Sequence, residues 1–171
     1  MSNRQFEMVV ELSFLQRYLA WEEFLEESFI CYLCGSASPN GSKFARLVRP
    51  KDRTTAERFL YLQRPPNWTD PGSVTSLAES MFDHGGPFTP VSAASLELRE
   101  MKAVRNRIAH RSLSAQRGLE EVVRNVYGAV PRRVTPGGYL LRTPPARRSG
   151  ASSFLTHYSD LLVALGRLIA P

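Results

Sequence analysis

The sequence predicts an all-α protein, and three observations predict it. Apolar residues recur at three- and four-residue steps through several long stretches. Clusters of Gly, Pro, Ser and Asn separate those stretches, and period-two alternation is nearly absent. At 171 residues and 43% apolar composition, the chain suits one domain, residues 1–171, with a core of its own. The expected architecture is a bundle of four to six helices. A long N-terminal helix opens it, and a basic irregular arm precedes the C-terminal helix.

The first helix is expected over about 4–34. Phe6, Val10, Phe14, Tyr18, Trp21, Leu25, Phe29 and Tyr32 form one apolar stripe, and Leu12, Leu15 and Leu19 add a second row beside it. Such breadth predicts burial on two sides, within the bundle or against a second subunit. Gly35 and the polar run after it end this helix. Residues 35–53 read as a loop carrying Lys43, Arg46, Arg49, Lys51 and Arg53. Thr54 or Thr55 would cap a short helix running to about Arg64, stopped by Pro65-Pro66.

Asn67–Gly72 reads as a turn-rich link and Ser73–Phe82 as another short helix, before Gly85-Gly86-Pro87 breaks the chain. Ser92 or Ser95 starts a helix with Leu96, Val104, Ile108, Leu98 and Met101 as its core face. Leu119–Val130 is a further helical segment, and Ser153–Ala170 the last helix. Between them, Pro131–Gly150 carries Arg132, Arg133, Arg142, Arg147 and Arg148 and no acidic residue. Within that arm, Pro136-Gly137-Gly138 could turn a small hairpin over Val134–Leu141.

The net charge of +6 rests on 19 arginines and 3 lysines. A basic balance favours polyanionic partners, because each phosphate neutralised releases a counterion. No run approaches the roughly 18 apolar residues of a membrane span, and Glu7 and Glu11 interrupt any signal-peptide apolar region. The location expected is the cytoplasm, with no membrane partner. Cys31 and Cys34 have C-x-x-C spacing but no second ligand pair, so both are read as small apolar helix residues. No metal site and no cofactor is expected. Glycine-rich phosphate loops, nucleophile elbows and zinc-protease patterns are missing.

The stretch that asks for chemistry is Arg105-Asn106-Arg107-Ile108-Ala109-His110-Arg111. Packing does not require a histidine ringed by arginines at the end of an amphipathic helix. Asn106 and His110, four apart, share a helix face. Arg105 and His110, five apart, point roughly 140° apart on a straight helix. One chain therefore supplies a thin site, and two copies across a two-fold axis would supply two arginines and two histidines.

This run resembles the R-x(4-6)-H motif of the HEPN family of all-α proteins, in which a polar residue often follows the arginine, as Asn106 does here. The long N-terminal helix and the late position of the motif helix are also similar to that family's bundle. Ser112 departs from its toxin branch, which usually has a tyrosine two residues after the histidine. The resemblance implies a dimeric, metal-independent endoribonuclease, acting as a toxin or antiviral-defence effector under an antitoxin or sensor protein. Arg105, Asn106 and His110 would be catalytic, leaving a 2′,3′-cyclic phosphate and a 5′-hydroxyl. Arg99, Lys102, Arg107, Arg111, Arg132 and Arg133, with the rest of the 132–148 arm, would hold the RNA backbone. The alternative is a non-catalytic HEPN module that binds RNA or a partner protein and dimerises; a third reading is a helical subunit whose basic arm docks on nucleic acid.

Other features take plainer readings. His84 reads as an exposed turn histidine and His157 as a surface or interface residue. Glu22, Glu23, Glu26 and Glu27 read as a solvated acidic face, and Trp21 and Trp68 as core anchors.

Overall fold

The computed structural model describes residues 2–62, 65–146 and 148–171. Among them the regular structure is helical. α1 is Asn3–Leu33, α2 Arg53–Tyr61, α3 Pro71–Met81, α4 Thr89–Ala93, α5 Ser95–Ala109, α6 Leu113–Tyr127, α7 Pro136–Leu140 and α8 Phe154–Ile169, with a 3-10 segment at Asp83–Phe88. Eight α-helices thus replace the four to six expected, the surplus coming largely from single-turn pieces. The closest approach to a strand among the described residues is an isolated antiparallel bridge between Arg46 and Phe82.

Side-chain caps set several boundaries that periodicity misplaced. Asp52, not Thr54 or Thr55, caps α2, its Oδ1 accepting from the Thr55 N–H at 2.7 Å. The expected end of that helix at Arg64 lies outside the described residues. α3 starts at Pro71 rather than Ser73, because Asp70 accepts from the Ser73 N–H at 2.9 Å and proline suits the first turn. α6 starts at Leu113, six residues before Leu119, because Ser112 caps it through the Ala115 N–H at 3.2 Å. It closes at Gly128 (φ 78°) rather than Val130.

The hairpin at Pro136-Gly137-Gly138 is not formed. Those residues are the first turn of α7, capped by Thr135 Oγ1 through the Gly138 N–H at 3.1 Å. Two α1 carboxylates fix that turn: Glu7 accepts from the Thr135 hydroxyl at 2.8 Å and Glu11 from the Gly137 N–H at 2.9 Å. The backbones meet so closely that a Cβ on Gly137 would lie 2.7 Å from the Glu7 carbonyl oxygen. Gly137→Ala is expected to cost about 1–3 kcal/mol of stability by overpacking. Urea unfolding checks this against Gly150→Ala, whose added methyl meets nothing within 4 Å.

The chain divides into two compact units. One comprises the chain up to Ala20 with Arg99–Leu162, the other Trp21–Leu98 with Val163–Pro171. The buried core of the first contains Val10, Phe14, Tyr18, Met101, Val104, Leu119, Val122, Val123, Val126, Tyr139, Leu140, Phe154 and Tyr158. Tyr139 stacks on Phe154 at 4.5 Å between ring centroids. Inside this apolar core sits Glu100, only 4% exposed. Arg148 binds both its carboxylate oxygens, at 2.6 and 2.8 Å, and the Tyr158 hydroxyl donates to Oε2 at 3.2 Å. The Tyr139 hydroxyl joins that of Tyr158 at 2.9 Å. Burial pushes both phenols well above the usual tyrosine range. Arg148, read from sequence as part of an RNA-holding arm, is thus an internal ion-pair partner; Arg147 lies outside the described residues.

The core of the second unit is aromatic. Phe29 contacts Phe88 at 4.7 Å, Phe82 at 5.1 Å and Trp68 at 5.6 Å. Trp21 is buried, and Trp68 is half-buried at the edge of this aromatic cluster. The 3-10 segment turns through left-handed backbone at His84 (φ 50°) and Gly86 (φ 53°). His84 is solvent-exposed, as a turn histidine.

Four residues of the expected apolar faces are not covered within the chain. Phe6, Leu12, Leu19 and Leu96 are exposed at 45%, 58%, 40% and 57%. Leu15 and Ile108 are half-buried. The rest of the α1 stripe, from Val10 to Tyr32, is buried as expected. No helix among the described residues is long and apolar enough to cross a membrane.

Candidate active site

α5 and α6 are joined by the three residues His110, Arg111 and Ser112. The Arg99–Ala109 part of α5 and the whole of α6 belong to the first unit. Small residues let the two helices approach: the Ala103 Cβ lies 3.8 Å from where a Cβ on Gly118 would stand. Beside this contact lies a cleft of about 390 Å³. Arg99, Lys102 and Asn106 enter it from α5, His110 and Ser112 from the turn, and Ser114 from α6. Ala103, Ala115 and Gly118 leave it open, and no carboxylate lines it.

The spacing explains the convergence. Positions 99, 102, 106 and 110 recur at three and four residues, so one helix face and its end carry all four. The opposite face is the buried one, with Leu98, Met101 and Val104. Arg99 and His110 are exposed, and Lys102 and Asn106 half-buried. A cleft with two cations, an imidazole and hydroxyl and amide groups suits a phosphodiester.

Arg105 does not line the cleft. It is half-buried, with Nη1 3.5 Å from Asn106 Oδ1. α5 is helical to Ala109, and the His110 N–H bonds to the Asn106 carbonyl beyond it.

Arg107 is placed differently from the other basic residues. Its Nε donates to Gln116 Oε1 at 2.6 Å and its Nη1 to the His110 carbonyl at 3.3 Å. Gln116 Nε2 in turn donates to Glu120 Oε1 at 2.8 Å. Arg111, Arg132 and Arg133 are exposed. Arg133 lines a separate cleft of about 170 Å³ with Arg142, Thr135 and Glu7, while the Arg142 guanidinium lies 5.6 Å over the Tyr127 ring.

No protein-family model, curated protein or solved structure matches this chain. The site therefore rests on its own geometry.

Sequence reasoning missed Ser114, Gln116 and the capping role of Ser112, because it started α6 too late. A serine directly before a helical run is the signal that finds the cap. Ser112 has a local physical role as the α6 N-cap.

The remaining clusters are quieter. Glu27 pairs with Nη1 and Nη2 of Arg53 at 2.6 and 2.7 Å, Arg53 Nε reaches Glu57 at 2.7 Å, and Tyr61 donates to Glu26. That bond to Arg53 holds the Glu27 carboxyl below the usual carboxylate range. Cys31 and Cys34 are free and half-buried, and the Cys31 thiol donates to Glu27 at 3.6 Å. Burial, then Glu27, pushes the Cys31 thiol up, and burial does the same to Cys34. Fewer thiolates at neutral pH predict alkylation by iodoacetamide several-fold slower than that of free cysteine, rising with pH. Among the described residues, no three His, Cys, Asp or Glu side chains group into a metal site.

Proposed function

We propose that this chain is a metal-independent endoribonuclease of HEPN type, working as a homodimer on cellular RNA, as a cytoplasmic toxin or defence effector. The observation that carries this reading is one cleft holding His110 and Asn106 beside Arg99 and Lys102, with no carboxylate in its lining. The resemblance of Arg105–His110 to the R-x(4-6)-H motif supports it.

The chemistry is an internal transesterification. The ribose 2′-oxygen attacks phosphorus and the P–O5′ bond breaks. The 2′-hydroxyl gives up its proton and the departing 5′-oxygen receives one, which leaves a 2′,3′-cyclic phosphate and a 5′-hydroxyl. His110 is the group in the cleft fitted to exchange these protons, its imidazole having one nitrogen to accept and one to donate. Arg99 and Lys102 stabilise the charge growing on the phosphoryl oxygens. Asn106 orients the imidazole or hydrogen-bonds the phosphate. In this reading Arg105, which lies outside the cleft of its own chain, would act only in a site shared by two copies. Regulation falls to a separate antitoxin or sensor protein.

A second reading, a non-catalytic module that binds RNA or a partner, is favoured by the position of Arg105 outside the cleft. One assay separates the two: total RNA and tRNA incubated in EDTA with wild type or His110→Ala. Cleavage lost in the variant supports the ribonuclease. RNA binding without cleavage by either protein supports the module.

A further inference from the structure

We infer that Arg107, Gln116 and Glu120 form a clamp that positions His110, an inference that rests on the ribonuclease reading. The imidazole stands on a turn of three residues between two helices, where backbone freedom would blur its place. Three contacts remove that freedom. The His110 N–H donates to the Asn106 carbonyl at 2.8 Å, which continues the helical bonding by one residue past α5. The His110 carbonyl, left outside the helix, accepts from Arg107 Nη1 at 3.3 Å. Beyond it, the Ser112 cap starts α6.

Arg107 can hold that carbonyl because its own guanidinium is held. Gln116 Oε1 accepts from its Nε at 2.6 Å across the turn. The amide of Gln116 is oriented in turn, since its Nε2 donates to Glu120 Oε1 at 2.8 Å, one helical turn further along α6. Carboxylate, amide, guanidinium and carbonyl therefore run in sequence from α6 to the residue that bears the imidazole. With Glu120 in place, this order needs an amide at 116. A carboxylate there would face Glu120 as a like charge, and an apolar side chain would release Arg107.

Arg107 is consequently a positioning residue rather than a contact to the RNA backbone. The two roles differ in kinetics: a phosphate contact acts on KM, and a misplaced imidazole acts on kcat. The test measures both constants on a fluorogenic single-stranded RNA in EDTA, with melting temperature alongside. Gln116→Met is expected to lower kcat about tenfold with KM within about twofold. Arg107→Lys, which keeps the charge but loses the fork, is expected to do the same. The exchanged pair Gln116→Glu with Glu120→Gln is expected to restore kcat, because the carboxylate then accepts from Arg107 and the amide follows it.

Wild-type kcat in both Gln116→Met and Arg107→Lys, with His110→Ala inactive, would overturn the clamp and leave the ribonuclease reading intact. So would a rise confined to KM in Arg107→Lys, or failure of the exchanged pair to recover. Full activity in His110→Ala, or no cleavage by wild type, would overturn the reading and the clamp together.

Discussion

His110→Ala is expected to lower EDTA-resistant RNA cleavage by about 10²–10⁴-fold, the range that a positioned general acid–base contributes. The imidazole is exposed, and the hydrogen bonds of residue 110 are made by its backbone. Truncation therefore removes the proton-transfer group without opening a cavity, and the melting temperature should stay within a degree or two. Asn106→Ala should slow cleavage less, since the amide orients rather than transfers. Gel analysis of a defined oligonucleotide reads the rate, and end-group analysis reads the products. Terminal 2′,3′-cyclic phosphate is the expected signature. Wild-type rates in the His110 variant would refute the assignment outright.

The largest expected effect on stability lies away from the cleft. Arg148→Met leaves Glu100, 4% exposed, with a buried charge whose main partner is gone. Breaking one side of such a pair costs about 3–5 kcal/mol in full burial. The Arg148 side chain keeps 20% of its exposure, so about 3 kcal/mol is a fair expectation. For a chain of this length that lowers the melting temperature by roughly 6–12 °C. Pairing it with Glu100→Leu should recover most of the loss, because an apolar pair avoids the desolvation that the ions suffer. Calorimetry on the two single variants and the double variant closes the cycle. Additive losses would mean that the two residues do not act on each other.

Long-range partners divide what could be read in the sequence from what could not. α1 was legible because its buried positions recur over about six turns, from Val10 to Tyr32. The row at Leu12 and Leu19 is equally apolar yet exposed, since periodicity finds a face and not what covers it. α7 was not legible: Pro-Gly-Gly is ordinary turn composition, and its helix is set by Thr135 and by Glu7 and Glu11 from over a hundred residues away. Of the site, the shared face of Asn106 and His110 followed from their spacing. Gln116 did not, since it meets Arg107 only because a three-residue turn folds α6 back beside α5. Arg148 looked like its basic neighbours because its carboxylate partner lies 48 residues earlier.

The close approach at Gly137 has its own consequence for anyone who selects variants of this chain by activity. In a saturation library, Gly137 and Gly86 would tolerate almost nothing, the first because Glu7 fills the space and the second because its φ is 53° and Phe82 stands 2.8 Å from an added Cβ. The cleft residues would be intolerant too, and fitness scores alone would give all of them one colour. Growth temperature separates them: variants at the glycines should regain function in the cold, whereas a missing imidazole is missing at every temperature.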